Sequence, residues 1–143
     1  MSLHSNDYKV ALIVGTGAGL SSSLARALTQ EGLRVAVASR QPEKLAALCS
    51  QTGASAFAVD AADADQVRKL FESVEHALGA PDVVIYNAAA RVRGTFVALK
   101  PAEVANAISV SAFGGFLVAQ QAARGMLPNH HGRGGVQGNR QGP

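Results

Sequence analysis

The 143 residues include one cysteine, Cys49, so no disulfide can close within the chain, and a reducing cytoplasm is the expected setting. Aromatic residues are scarce, at 5%, and no run of basic residues occurs. The net charge is +3, and Arg133 and Arg140 near the chain end supply two of those charges. The body up to Leu127 therefore balances eleven basic against ten acidic side chains. A nucleic-acid partner is not expected, because the chain offers neither a basic stripe nor rings on which bases stack. A spaced set of metal ligands is missing as well. His130 and His131 are adjacent in a polar tail, so no metal is expected. No internal repeat is evident. From Val104 to Ala123 there is no charged residue, a stretch long enough to cross a bilayer. Asn106, Ser109, Ser111, Gln120 and Gln121 make it too polar for a lone lipid-facing span, so a helix buried on most sides and no membrane partner are expected. Lys9–Val14 has the look of a signal-peptide core, but glycines and a polar helix follow it where a cleavage site would stand.

What remains is a chain that is 48% hydrophobic and 16% charged, the balance of one compact soluble domain with a real core. Its apolar runs alternate in kind. Lys9–Val14 is short, partly β-branched and stopped by Gly15, a buried strand. Leu20, Leu24, Ala27 and Leu28 recur at helical spacing until Gly32. Leu33–Ala38 reads as the second strand, and Pro42 with Lys44–Ser50 as a helix ending at Gly53. Ser55–Val59 reads as the third strand, closed by Asp60. Asp63, Asp65 and Val67–Leu78 form the next helix, acidic at its positive end and stopped by Gly79. Pro81 introduces a fourth strand, Asp82–Tyr86, and Pro101–Leu127 reads as a long helix interrupted near Gly114-Gly115. Strands apolar throughout and alternating with helices describe an α/β fold, a parallel sheet covered on both faces. Right-handed crossovers then give a Rossmann-type doubly wound sheet of order 3-2-1-4. Two regions follow: a dinucleotide-binding domain over 1–127 and a disordered tail over 128–143, where almost nothing is apolar.

The first strand runs into Gly15-Thr16-Gly17-Ala18-Gly19-Leu20-Ser21. Glycines there let the backbone turn sharply and let a diphosphate approach the unpaired N–H groups at the start of the following helix. The hydroxyls of Ser21, Ser22 and Ser23 could add donors. A glycine turn that merely packs is the plainer reading, but a strand before the turn and a helix after it favour phosphate binding. At the end of the second strand an NAD-binding unit would place a carboxylate on the ribose 2′-hydroxyl. Here Ser39-Arg40 stands instead. Arg40 can pair with a 2′-phosphate through its permanently charged guanidinium, or be an ordinary surface arginine; the first reading favours NADP over NAD.

Taken together these residues resemble the short-chain dehydrogenase/reductase family, over roughly Lys9 to Leu127. Gly15-Thr16-Gly17-Ala18-Gly19 is similar to that family's GxxxGxG cofactor turn, with Ser21 in place of the last glycine. Asp60, with Ala61 beside it, is similar to the adenine-contacting aspartate, though it also suits a helix cap or turn. Tyr86-Asn87-Ala88-Ala89-Ala90 resembles the NNAG segment, altered at both ends, and implies that Asn87, Ala88 and Ala89 lie near the nicotinamide ribose. The plainer reading of Asn87 is a strand-end side chain satisfying local backbone. Ile108–Phe116 is similar to the segment carrying a catalytic asparagine, with Ser111 at that site.

The resemblance also implies a fifth strand, a catalytic serine and a Tyr-x-x-x-Lys pair, in which lysine lowers the pKa of a proton-transferring tyrosine. Tyr8 and Tyr86 are the only tyrosines, and neither precedes a lysine at that spacing. The expectation is therefore an NADP(H)-dependent oxidoreductase acting on a carbonyl or alcohol substrate, C-terminally incomplete, stopping before its catalytic residues and inactive alone. The Gly/Arg/Gln/Pro-rich ending fits a truncated or frame-shifted reading frame. Rival readings are a non-catalytic NADP(H)-binding module or redox sensor, and a nonfunctional fragment. Covering of the 101–127 helix by later segments or by a second subunit makes a homo-oligomer the expected assembly. Arg91 and Arg93 face either an anionic substrate or, as is more ordinary for a loop, solvent.

Overall fold

A computed structural model describes residues 8–130. Four strands, β1 (Val10–Val14), β2 (Arg34–Ser39), β3 (Ser55–Ala58) and β4 (Val83–Tyr86), form one parallel sheet in the order β3-β2-β1-β4. The helices are α1 (Leu20–Gln30), α2 (Ala46–Thr52), α3 (Ala64–Leu78), α4 (Pro101–Ile108) and α5 (Gly114–His130). Alternation of side chains along each strand splits the core in two. Ala11, Ile13, Val35 and Val37 meet Leu45, Leu48 and Ala25 on the α1/α2 face. Val10, Leu12, Val14, Ala36 and Ala38 meet Val67, Leu70, Val74, Leu117 and Val118 on the α3/α5 face. The sheet is doubly wound, as the alternation of elements requires. β1 is buried throughout, which explains its unbroken apolar run.

Local chemistry sets the ends of these elements. The Asp63 carboxylate caps α3 by accepting from the Asp65 and Gln66 amides, each at 3.0 Å. Asp82 accepts from the amides of Lys9 and Val10 at 2.7 and 3.0 Å, pinning the start of β1 to the start of β4. Pro42 opens a short 3₁₀ turn over Pro42–Leu45, and only then does α2 begin.

Four expectations need correction. The buried side of α1 is Ser21, Ser22 and Ala25, whereas Leu20 is 63% exposed and Ala27 is exposed. The helix enters close against the sheet, so small residues face inward and the leucines flank them. The long helix is not broken at Gly114-Gly115: α4 passes through one π turn, Ser109–Phe113, directly into α5. It is also not buried on most sides. Only 17% of its most apolar window is buried, because among the described residues α5 packs chiefly on α3 and β4 along one side. By length and composition alone, at a mean hydropathy of 1.5, it could cross a membrane. Finally, α5 continues through Pro128 to His130, three residues past the expected boundary. A proline in the last turn removes one helical hydrogen bond without ending the helix. The rest of the expected tail, from His131 on, lies outside the described residues.

Candidate functional site

The sheet order reverses between β1 and β4, and the site gathers there, beyond the carboxyl ends of the strands. Gly15 leaves β1 with φ of 89°, and its amide and that of Thr16 both donate to the Ala38 carbonyl, at 2.9 and 3.1 Å. A methyl group on Gly15 would overlap the backbone of Ala88, so the absence of a side chain lets the β4 exit lie flat on the turn. Gly17 and Gly19 face open space, with nothing within 4 Å of where a Cβ would stand. Gly19 is the N-cap of α1 and offers no side-chain cap, leaving the helix's first N–H groups to an outside acceptor. Leu20 stands exposed at the mouth of this turn. A diphosphate fits this arrangement: a bare helix start, glycine backbone beside it, and room above.

The serines of the turn act differently from expectation. Ser21, 2% exposed, donates to the Gly15 carbonyl at 3.2 Å, and Ser22 donates to the Gly17 carbonyl. Each hydroxyl has one proton, so neither is left to donate to a phosphate. Thr16 likewise spends its hydroxyl on the Ile13 carbonyl at 3.1 Å. These side chains build the turn. Ser21 does more, because its oxygen accepts from the Asn87 amide at 3.0 Å, while the Asn87 backbone N–H donates to the Val14 carbonyl at 2.8 Å. The Ser21–Asn87 link ties the glycine turn to the exit of β4, and only Ser21's place in the altered motif hinted at it.

On the other flank a cleft of about 770 Å³ opens between Gly17-Ala18 and the end of β2. Ser39 and Arg40 line it, as do Arg26 from α1 and Lys44 from the 3₁₀ turn. Arg26 is oriented by a 3.0 Å bond to the Gln51 side chain. The lining holds three cations and no carboxylate. Sequence reasoning found Arg40 alone; Lys44 follows it by four residues in the 3₁₀ turn, and Arg26, distant in the chain, joins them through the packing of α1 on α2.

Asp60 and Ala61 follow β3. Asp60 forms a local turn, its carboxylate accepting from the Ala62 amide at 3.0 Å, and Asp63 is the helix cap. Neither Asp60 nor Ala61 lines the cationic cleft. Ala61 is buried against Gly114. Tyr86, at the end of β4, donates its hydroxyl to the Val110 carbonyl inside the π turn. Burial first, and the charge of Asp60 second, push its pKa up. The Ser111 hydroxyl both accepts from the Ala90 amide at 3.2 Å and donates to the Ala90 carbonyl at 3.3 Å. Ala88 is thus seated on Gly15, Ala89 lies exposed between, and Ala90 is fastened to the helix.

The comparisons agree with this geometry. The profile described as short chain dehydrogenase matches residues 9–136. A ketoacyl reductase of Nostoc sp. is 30% identical over 131 residues, covering 88% of this chain and 44% of the relative. A versicolorin reductase of Emericella nidulans is 32% identical, covering 82% and 47%. Among solved structures, an actinorhodin polyketide ketoreductase with NADPH superimposes with a TM-score of 0.80 at 28% identity, over 86% of this chain and 50% of that one. The chain spans about half the length of the curated relatives it matches. With four parallel strands in the order 3-2-1-4, the glycine turn at the switch point and the profile match over nearly all of its length, the chain belongs to the short-chain dehydrogenase/reductase family of NAD(P)-binding oxidoreductases.

Proposed function

We propose that the chain is the cofactor-binding half of an NADP(H)-dependent carbonyl reductase or alcohol dehydrogenase. The observation that carries the cofactor preference is the cleft beside the glycine turn, where Arg26, Arg40 and Lys44 converge with no carboxylate in the lining. A ribose 2′-hydroxyl offers such a cleft no charge and a single acceptor oxygen, whereas a 2′-phosphate meets a planar guanidinium in bidentate geometry. The bound nicotinamide would supply the hydride. The chain's own residues hold the diphosphate at the start of α1 and hold the β4 exit, with Asn87, beside the turn. The chemistry of the named ketoreductase and dehydrogenase relatives supports the carbonyl/alcohol assignment.

Residues 1–143 do not provide the proton-transferring tyrosine. The Tyr86 hydroxyl is spent on the Val110 carbonyl, and Tyr8 is followed directly by Lys9. On this reading the 143 residues bind cofactor without turnover, which is also the behaviour of a binding module. The test is calorimetric titration with NADPH and NADH of the chain and of Arg40→Ala. NADPH is expected to bind preferentially, and loss of a charged hydrogen bond to phosphate is expected to weaken NADPH about tenfold or more while leaving NADH unchanged. Equal affinity of the unaltered chain for both cofactors would remove the NADP assignment.

A further inference from the structure

Arg91 and Arg93 stand apart from the cofactor cleft, at the opposite side of the switch point. Both line a second cleft, of about 480 Å³, between the loop after β4 and the start of α4. Among the described residues neither guanidinium has an ion-pair partner, and both are exposed. One carboxylate lines that cleft, Glu103, and it is engaged by the Lys100 ammonium at 3.6 Å. Asn106 adds an amide to the lining. The loop is placed firmly at its start: Ala88 abuts Gly15, and Ser111 grips both backbone groups of Ala90. Two positively charged side chains therefore follow directly on an anchored stretch of backbone, beginning three residues beyond the contact with the glycine turn.

Two like charges lining one cleft repel each other, and an anion bound there relieves that repulsion. Each guanidinium can match the flat, two-oxygen edge of a carboxylate or phosphate. We infer that Arg91 and Arg93 form an anion-binding subsite, so that the substrate is a carbonyl or alcohol compound carrying a carboxylate or phosphate. This rests on the assignment of the glycine turn as the cofactor site, since that is what makes the neighbouring cleft a substrate position.

The test is residue-resolved labelling of arginines in the whole chain with phenylglyoxal, read by peptide mass spectrometry. The probes are acetoacetate for a carboxylate, dihydroxyacetone phosphate for a phosphate, and methyl acetoacetate as the uncharged control, each with and without NADPH. Saturating anion is expected to slow labelling of Arg91 and Arg93 about tenfold by mass action, with the ester leaving both rates unchanged. Whichever anion protects identifies the source of the charge. Calorimetry of Arg91→Gln is expected to show that anion bound at least about tenfold more weakly, with Arg91→Lys intermediate and NADPH affinity unaltered. Equal protection by the ester, no protection by either anion, or protection confined to Arg26 and Arg40 would overturn the inference. NADPH protection of Arg26 and Arg40 is scored in the same digests, so a failed cofactor assignment shows separately, as loss of that protection alone.

Discussion

Gly15 meets two demands at once: a φ of 89° that side-chain-bearing residues avoid, and contact with Ala88 too close for any Cβ. Gly17 and Gly19 carry neither demand, with open space around them, so their smallness serves whatever binds above them. The three glycines, alike in the sequence, are therefore separable by experiment. Gly15→Ala incurs roughly 1–2 kcal/mol for the backbone conformation and a further 1–3 kcal/mol or so for forcing Ala88 away. We expect urea denaturation to show a loss of about 2–5 kcal/mol for Gly15→Ala. Gly17→Ala should leave stability nearly unchanged while weakening NADPH binding. A stable Gly15→Ala protein with normal cofactor affinity would contradict this division of roles.

At the scale of elements, the joint between β4 and the α4–α5 helix is the part the sequence reveals least. The strands and the glycine turn were legible because they depend on neighbours in the chain: an apolar run, a turn, a helix of set period. Strand order followed from the alternation of elements. The inward face of α1 was misread because Ser21, Ser22 and Ala25 fill a narrow gap that only the assembled sheet defines. The cationic cleft was one-third legible, since Arg26 and Lys44 reach it from separate elements. The π turn left no local sign, because its cause is tertiary: the Tyr86 hydroxyl donates to the Val110 carbonyl, and Gly114 makes room for that hydroxyl where a Cβ would also lie 2.9 Å from the Ala61 carbonyl oxygen. Tyr86→Phe should cost about 1 kcal/mol by removing that bond. The pH dependence has a definite sign. Since the folded pKa of Tyr86 is raised, the folded state holds this proton more tightly than the unfolded chain. Its contribution to stability is complete below about pH 10, the unfolded value, and fades as pH climbs through the raised folded one. Urea unfolding at neutral and alkaline pH should show the gap between the two proteins closing in alkali; a constant gap would detach the tyrosine's ionisation from the joint.

For the whole molecule, the decisive feature is the uncovered outer side of the α4–α5 helix. Leu117 and Val118 seat it on the domain, but Ile108, Phe113, Phe116 and Leu127 are exposed, with Phe113 and Phe116 stacked at 6.3 Å. Phe96 and Val97, just ahead of α4, are 90% and 92% exposed, so apolar surface continues past the helix start. A patch of this kind on a soluble domain is covered in working form, and the near-neutral body of the chain does not repel a second copy. A two-fold axis beside the helix would bring the same residues of both copies together and close the assembly. Light scattering across a concentration series should therefore show self-association, and Phe113→Ser with Phe116→Ser should shift the chain toward monomer without altering NADPH affinity, because neither ring lines the cationic cleft. A monomer at every concentration would leave the helix without a second copy. Co-flotation of that monomer with phospholipid vesicles would then assign the face to lipid, the other solvent its length and hydropathy of 1.5 permit.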